Sequence, residues 1–335
     1  MRDLILPQGY STSLSLRETQ RAIKIIKDNF QKMLAAELNL DRVTAPVIVA
    51  KSSGINDDLS GVERKVEFDV GETGEIAEIV QSLAKWKRMA LYRYGYEAGE
   101  GIYTDMNAVR RDDDLDNIHS LFVDQWDWER VVTSEERNVE FLKKIVRKIV
   151  KAMADAESAL NLTFPMLTKT IEREVFFVTS QELLDMYPNL TAKERENAVV
   201  REHKTVFIMQ IGSLLSNGEK HDNRAPDYDD WALNGDILVW NDVLNRAVEL
   251  SSMGIRVDKD SLKAQLEKAN SLERMQFDYH KMIADGTLPL TIGGGIGQSR
   301  LCMQLLEKAH IGEVQVSVWP QEMREECMAN GIFLL

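Results

Sequence analysis

Three consecutive glycines followed by an arginine form the segment of this sequence best suited to hold a nucleotide. Gly293, Gly294 and Gly295 end an apolar run, and Arg300 lies at the start of the helical pattern that follows. Glycines without a Cβ let a backbone approach a flat base or a phosphate, and arginine adds a planar, permanently charged clamp. Taken alone, a glycine turn between strand and helix is more often structural. The segment also does not fit the dinucleotide-binding fingerprint.

Polar side chains alternate along a second segment, QWDWE. Gln125, Asp127 and Glu129 recur with a period of two, so a strand places them on one face, with Trp126 and Trp128 on the other. Tryptophans on a buried face are the simplest interpretation. Three convergent polar groups opposite them nevertheless need a partner, and a substrate pocket would supply one.

Two carboxylates in a third segment have the chemistry of a metal site. Asp236 and Glu249 are predicted on neighbouring strands, followed by Ser251, Ser252 and Arg256. Carboxylates that share a site with phosphates usually hold Mg²⁺, which needs only one or two protein ligands. An exposed acidic pair is otherwise unremarkable, so the spacing alone leaves both interpretations open.

The elements that must position these groups follow from hydrophobic periodicity. Apolar residues at spacings of three and four predict a helix from Leu16 to Leu38 and another over about 135–160. Residues 102–131 are predicted as mostly extended around an acidic turn, and LAKWKRMALYRYG as a helix. Further predicted strands are VTAPVIVA, KVEFDV, EIAEIVQS, VFFVTSQELL, TVFIMQIG, DILVW and AVELSSMGIRV. Pro46 would place VTAPVIVA at a sheet edge or an interface.

The overall organisation is predicted to be a single α+β domain over residues 1–335, with a mainly antiparallel sheet flanked by helices. Hydrophobic residues make up 44% and charged residues 28% of the chain, as in soluble globular proteins. The formal net charge of −13 argues against a nucleic-acid-binding surface. Cys302 and Cys327 lack zinc-site or redox spacing. No signal peptide or membrane span is predicted, so we expect a cytoplasmic protein.

These segments together resemble the catalytic core of the class II aminoacyl-tRNA synthetases, and most closely its tRNA-free relatives, the ammonia-dependent asparagine synthetases (aspartate-ammonia ligases). The long helix with VTAPVI resembles the first motif of the class, with Pro46 at a dimer interface. Arg110, the acidic turn and HSLFVDQWDWE resemble the second motif, and GGGIGQSRL the third. The segments QSLAKWKR, RAPDYDD, LNGDILVW and ELSSMGIR match the ligases more closely than the synthetases.

The resemblance covers nearly the whole chain and implies a reaction. Aspartate, ATP and ammonia would give asparagine, AMP and diphosphate through a β-aspartyl adenylate. On the nucleotide side, Arg110 would contact the α-phosphate and Arg300 the γ-phosphate of a bent ATP. Asp236 and Glu249 would hold Mg²⁺, and Gly293, Gly294 and Gly295 would lie beside the adenosine.

On the amino-acid side, the resemblance implies that Lys87 and Arg256 hold the aspartate carboxylates. Lys85 is the alternative to Lys87, because residues two apart do not share a helix face. The groups available for the ammonium and the rest of the substrate are Ser82, Gln125, Asp127, Asp229, Ser251 and Ser252.

Asp57 and His119 are the two remaining candidates for proton transfer. Asp57 lies in GINDDLSG, which reads most simply as a solvated turn. The resemblance places it at the substrate pocket, where it would capture ammonium and accept its proton. His119 is interpreted as a packing or hydrogen-bonding residue, because the attacking carboxylate is already ionised and adenylate formation needs no base.

Two alternative functions share this core. An aspartyl- or asparaginyl-tRNA synthetase is disfavoured, because little sequence precedes the first motif or follows the third, and because the acidic turn would repel RNA. A catalytically inactive paralogue is disfavoured because the phosphate-binding arginines and metal carboxylates are all present. No amidotransferase segment is visible, so ammonia rather than glutamine is the expected nitrogen donor.

Overall fold

An eight-stranded sheet dominates the computed structural model, which describes residues 4–57, 59 and 63–335. The strands in chain order are β1 (Leu40–Arg42), β2 (Ile48–Ala50), β3 (Glu67–Asp69), β4 (Ile76–Ile79), β5 (Gly101–Val109), β6 (Phe122–Val131), β7 (Phe176–Thr179), β8 (Thr205–Met209), β9 (Asp229–Asn241), β10 (Arg246–Arg256) and β11 (Thr291–Gly297). The helices are α1 (Leu16–Leu38), α2 (Ala84–Tyr94), α3 (Val139–Thr163), α4 (Ser180–Met186), α5 (Ala192–His203), α6 (Lys259–Lys268), α7 (Asp278–Ala284), α8 (Gln298–Leu305) and α9 (Gln321–Ala329).

The large sheet has the order β1-β5-β6-β11-β10-β9-β8-β7. Its inner pairs are antiparallel, and the edge pairs β1–β5 and β7–β8 are parallel. The predicted α+β class with a mainly antiparallel sheet is therefore confirmed. Strand β11 lies between β6 and β10, so the glycine segment is at the centre of the sheet. A second, small sheet has the order β2-β4-β3.

Helices α1 and α3 cover one face of the large sheet. The first begins at Leu16 because the Ser15 hydroxyl caps it and Glu18 completes the capping box, and it ends at Asn39 in a left-handed conformation. The predicted bounds of α1 are confirmed. Its buried Phe30 ring lies 4.6 Å from the ring of Trp126. The two tryptophans of β6 thus belong to the hydrophobic core, and the polar row of β6 faces the other way.

Two predicted strands are wrong in part. VTAPVIVA is not continuous: β1 ends at Arg42, 43–47 form no strand, and β2 belongs to the small sheet. Pro46 cannot donate to a ladder, and the chain passes from one sheet to the other around it. In VFFVTSQELL the strand ends at Thr179, because its hydroxyl caps α4 in a capping box with Glu182. Within the described part of the chain, no helix combines the length and apolar character needed to cross a bilayer.

Candidate active site

Two adjoining compartments open on the face of the sheet away from α1 and α3. The larger has a volume of about 510 Å³ and the smaller about 80 Å³. Among the described residues, six line both compartments, and we call them the shared border: Leu59, Arg110, Gln125, Tyr228, Ser252 and Gly295. A reaction between a ligand in each compartment would take place at this border.

The structure brings most of the predicted site residues to these two compartments. Those that line the smaller one are Asp57, Ser82, Lys87, Arg110, Gln125, Asp127, Asp229, Ser252, Arg256, Gly294 and Gly295. Those that line the larger one are Arg110, Gln125, Glu249, Ser252, Gly295 and Arg300. Ser251, Asp236 and Gly293 line neither.

Lys87 forms the floor of the smaller compartment. It lies in the first turn of α2, which packs over β6. Its Nζ forms an ion pair with Asp127 and donates to the backbone oxygens of Trp128 at 2.9 Å and Gly294 at 3.2 Å. Burial lowers the pKa of Lys87, although the charges of Asp127 and Glu129 oppose that shift. All three N–H donors are satisfied, so Lys87 fixes the position of Asp127.

Arg256, at the end of β10, lies between two carboxylates. Its Nε and Nη2 donate to Glu129 at 2.7–3.1 Å, and its Nη1 forms an ion pair with Asp229. The Thr291 hydroxyl donates to Glu129 at 2.7 Å. A Cβ on Gly293 would overlap the Glu129 carboxylate, so Gly293 provides the space for this ion pair. Glu129, which sequence analysis noted only as part of a polar row, thereby orients Arg256.

Asp127 and Asp229 are buried carboxyl groups that each form an ion pair with one cation. Burial raises the pKa of both carboxyl groups, even though Lys87 and Arg256 lower it. Burial therefore outweighs the nearby cations in both cases. A ligand ammonium group placed between them would add positive charge and favour their ionised forms, which makes this end of the compartment suited to an amino acid.

Asp57 is held beside the smaller compartment by its neighbour Asn56. The Asn56 amide donates to Glu78 and to the Ile79 carbonyl, both at 3.0 Å, and its oxygen accepts from Gln81 N and Asp57 N. The turn that carries Asp57 is thus tied to the segment that precedes Ser82. Asp57 is 1% exposed, so the solvated turn that the sequence suggested on its own is wrong.

The structure distinguishes between the two candidate lysines. Lys85 points away from both compartments to Asp227, with its Nζ 2.9 Å from the carboxylate. Arg274 at 2.8 Å and His280 at 2.9 Å complete that buried cluster. Lys87, not Lys85, therefore reaches the smaller compartment.

Arg110 and Arg300 are two of the arginines that line the larger compartment. Arg110 donates only to the Gln81 carbonyl, through Nε and Nη2 at 3.4 Å, and no carboxylate of the described residues lies within ion-pair distance of it. Arg300 donates to the carbonyls of Ile118 at 3.3 Å and Glu249 at 3.0 Å, and its Nη1 also lies 3.8 Å from the Glu249 carboxylate. Guanidinium groups bound mainly to neutral carbonyls keep much of their charge available for an anion.

The loop between β5 and β6 forms one wall of the larger compartment and is anchored by Asn117. The fully buried Asn117 side chain exchanges hydrogen bonds with Ile5 at 2.7 and 2.8 Å and donates to Ala309 O at 2.8 Å. In this loop the Asp116 carboxylate binds His119 Nδ1 at 2.9 Å, and His119 lines the compartment. His119 is thus hydrogen-bonded, and its role as a packing or hydrogen-bonding residue stays a prediction.

Asp236 and Glu249 lie on the adjacent strands β9 and β10. Burial and the nearby charges of Glu249 and Asp222 raise the pKa of Asp236 to about 6, against the effect of Arg224. Oδ1 of Asp236 is buried and has no hydrogen-bond partner among the described residues. This excess of negative charge and the unused oxygen fit a cation such as Mg²⁺. No group of three or more potential ligands occurs in the described chain, so phosphates and water would complete the coordination.

Ser251 and Ser252 lie on opposite faces of β10, and Gly294 and Gly295 lie on opposite faces of β11. The register of β10 against β9 shifts between Glu249 and Ser251, and Ser252 reaches both compartments while Ser251 is buried behind them. A Cβ on Gly295 would overlap the Gln125 amide, whereas one on Gly294 would meet Met253 on the opposite face.

Arg224 and Tyr228 are site residues that no sequence pattern predicted. Arg224 forms ion pairs with Asp236 and, at 3.2 Å, with Asp222, and lines the larger compartment. Both residues lie in RAPDYDD, a segment that the resemblance singled out without giving these side chains a role.

The comparison with known families agrees with this geometry. The profile of the family described as "Aspartate-ammonia ligase" matches residues 17–331. The chain belongs to the aspartate-ammonia ligase family. It is 60% identical to an aspartate–ammonia ligase of Clostridium tetani over 99% of this chain and 98% of that one. It is 54% identical to one of Lactobacillus johnsonii over 99% of both chains. As a member of this family, the chain is a ligase that forms a carbon–nitrogen bond.

Solved structures show that this aspartate-ammonia ligase has the class II aminoacyl-tRNA synthetase fold. The asparaginyl-tRNA synthetase of Pyrococcus horikoshii, complexed with asparaginyl-adenylate, superposes with a TM-score of 0.65 at 14% identity, over 91% of this chain and 70% of that one. The Entamoeba histolytica enzyme in complex with the same ligand gives a TM-score of 0.64 at 16% identity, over 90% of this chain and 66% of that one.

Proposed function

We propose that this chain makes asparagine from aspartate and ammonia, and that ATP is converted to AMP and diphosphate through a β-aspartyl adenylate. The observation that carries the proposal is the meeting of two compartments at Arg110. One is small and contains the buried carboxylates of Asp127 and Asp229, and the other is large and contains Arg300 and Arg224. Membership of the ligase family supports the same reaction.

Aspartate would bind in the smaller compartment. Asp127 and Asp229 accept its α-ammonium group, whose positive charge favours the ionised form of both buried carboxyl groups. Arg256 and Arg110 face the same space and are the cations for its two carboxylates. Lys87 acts here through Asp127, because its own donors are occupied.

Adenylation would take place at the shared border. An oxygen of the substrate β-carboxylate attacks the α-phosphorus of ATP, and the bond to the β-phosphate breaks to release diphosphate. Arg110 stabilises the negative charge that develops on the α-phosphate, and Arg300 holds the terminal phosphate. Asp236 and Glu249 are the residues that would hold Mg²⁺, whose chemistry there is to neutralise phosphate charge.

Amination would then use Asp57. Ammonium is captured by this carboxylate as a counter-ion and gives one proton to Asp57, and the ammonia so formed attacks the acyl carbon through its lone pair. The attached nitrogen loses a second proton to solvent to give the neutral amide. The bond between the acyl carbon and the phosphate oxygen breaks, and AMP leaves. Support for this role is the position of Asp57, which is buried and lines the compartment that holds aspartate.

We further propose that the chain acts as a cytoplasmic homodimer without nucleic acid. The small sheet and the residue before it expose apolar side chains: Val47, Ile48, Phe68 and Ile76 are each at least 40% exposed. Residues 43–50 form the segment that resembles the interface motif of the class. A second copy packed there would cover this surface.

Product analysis tests the function directly. Purified protein incubated with aspartate, ATP, Mg²⁺ and an ammonium salt should yield equal amounts of asparagine and AMP, with no RNA present. Formation of ADP in place of AMP would overturn the proposal, as would a strict requirement for tRNA. The latter result would favour a synthetase.

A further inference from the structure

An acyl adenylate can react with water as well as with ammonia. In hydrolysis, a water oxygen attacks the same acyl carbon, the bond to the phosphate oxygen breaks, and aspartate and AMP are released without any asparagine. Water greatly exceeds ammonia in concentration. An enzyme with the proposed function therefore needs a side chain that keeps water from the acyl carbon.

The shared border offers few groups for this task. Of the six residues that line both compartments, four are polar or glycine, and only Leu59 and Tyr228 are large and mainly apolar. Tyr228 has the larger surface. Because the acyl carbon would lie where the compartments meet, its ring is placed to cover that carbon.

Contacts with neighbouring residues hold Tyr228 in place. The Arg256 guanidinium lies 5.7 Å from the centre of its ring, within the range of a cation–π contact. Its backbone oxygen accepts from Val257 N at 2.9 Å. Its neighbours Asp227 and Asp229 are both anchored by ion pairs, to Lys85 and Arg256 respectively.

The hydroxyl group of Tyr228 is unsuited to proton abstraction. Burial, followed by the charges of Asp57 and Asp229, raises the pKa of Tyr228 well above its usual value. The phenol therefore stays protonated at neutral pH. What the side chain can contribute at the border is its ring.

We propose that the ring of Tyr228 excludes water from the acyl carbon and so determines that ammonia, rather than water, consumes the adenylate. This inference rests on the proposed function. It makes Tyr228 a residue that selects the nucleophile, whereas Asp57 activates it.

The ratio of AMP to asparagine measures this selection. Both products are quantified in the same reaction for the wild type, Tyr228→Phe, Tyr228→Leu and Tyr228→Ala. The wild type and Tyr228→Phe should give a ratio near one. Tyr228→Ala should give a ratio several-fold higher, which rises further as ammonium is lowered, and Tyr228→Leu should lie between. The ratio does not depend on how much of a variant is folded, so partial misfolding does not obscure the result.

Two controls show whether a change in the ratio comes from the shared border. Phe122→Ala removes an aromatic ring that lines only the larger compartment. Its rate of asparagine formation can fall, but its ratio of AMP to asparagine should stay near one. AMP formation by every variant must depend on aspartate, which shows that it passes through the adenylate.

The outcomes separate this inference from the proposed function. A wild type that makes no asparagine contradicts the function itself. A wild type with a ratio near one, together with a Tyr228→Ala variant of the same ratio, overturns only the role of Tyr228. An equally high ratio for Tyr228→Phe also overturns it, because the ring would still be present.

Discussion

Lys87 and Asp127 form an ion pair at the floor of the smaller compartment, and neither side chain is more than 5% exposed. Because Lys87 also donates to the backbone of β6 and β11, this pair connects α2 to two neighbouring strands of the large sheet. The proposed binding surface for aspartate and the packing of three elements thus depend on one buried cation.

Replacement of Lys87 should therefore cost stability as well as activity. Lys87→Met leaves Asp127 and Glu129 buried with less positive charge, and we expect the free energy of unfolding to fall by roughly 3–5 kcal/mol. Chemical denaturation measures this loss. Adding Asp127→Asn should recover part of it, whereas Lys24→Met, at an exposed ion pair, should change little. A Lys87→Met variant as stable as the wild type would contradict this account.

Asp57→Asn should separate the two half-reactions. Exchange of pyrophosphate into ATP in the presence of aspartate should persist, while asparagine formation falls by roughly 10²- to 10⁴-fold, the usual effect of a lost general base. Asp127→Asn is the matched variant and should lose both activities, because Asp127 would bind the aspartate ammonium. Loss of both activities in Asp57→Asn would instead make Asp57 an aspartate-binding residue.

Arg110 and Arg300, the two arginines proposed to contact ATP, should affect different kinetic constants. Arg110→Ala removes a donor to charge that develops during adenylation, so kcat for pyrophosphate exchange should fall by roughly 10²- to 10³-fold. Arg300→Ala removes a contact to a phosphate whose charge changes less, so its main effect should be a higher KM for ATP. Equal effects of both variants on kcat would show that the two residues do not divide these tasks.

His310 should make the protein sensitive to mild acid. Burial lowers the pKa of His310 to about 4, and Asp116 only partly offsets this. Between pH 6.5 and about 4 the unfolded chain binds a proton that the folded chain does not, so acidification favours unfolding. Over this pH range, protonation of His310 in the unfolded chain lowers the free energy of unfolding by about 3 kcal/mol.

An asparagine at position 310 provides the test. The Gly312 amide donates to His310 Nδ1 at 3.0 Å, and the oxygen of His310→Asn can accept in its place without titrating. Denaturation curves at several pH values should show a smaller loss of stability for this variant between pH 6.5 and 4. Identical pH dependence would mean that other groups, such as the nearby Glu313, control the acid response.

The proposed dimer can be tested at the small sheet. Ile48 is 51% exposed, and Ile48→Glu places a charge on the apolar surface that a second copy would cover. Light scattering at micromolar concentration should give the mass of a dimer for the wild type and of a monomer for the variant. A wild type that is monomeric throughout this range would rule the interface out.

The sequence predicted those parts of the site that depend on regular periodicity. The alternation of Gln125, Asp127 and Glu129 placed their side chains correctly, because a period of two holds along an unbroken strand. The neighbouring strands of Asp236 and Glu249 were predicted for the same reason.

Other features depend on contacts between distant segments. The register shift in β10 separates Ser251 from Ser252, and no residue type marks it. Position 293 must be glycine because the Glu129–Arg256 ion pair occupies the space that a Cβ would need. The local sequence does not reveal this contact. Tyr228 and Arg224 lie outside any regular element, so periodicity gave them no position.

The position of β11 between β6 and β10 has a consequence for synthesis. Until residues 291–297 have left the ribosome, β6 and β10 each lack the partner that separates them in the finished sheet. The emerging chain can form α1, β5 and β6 early, but it carries two open strand edges at the place where the substrates would meet. Assembly of the site is therefore among the last steps of folding. A chain released before that point would have no partial activity and would be prone to aggregate.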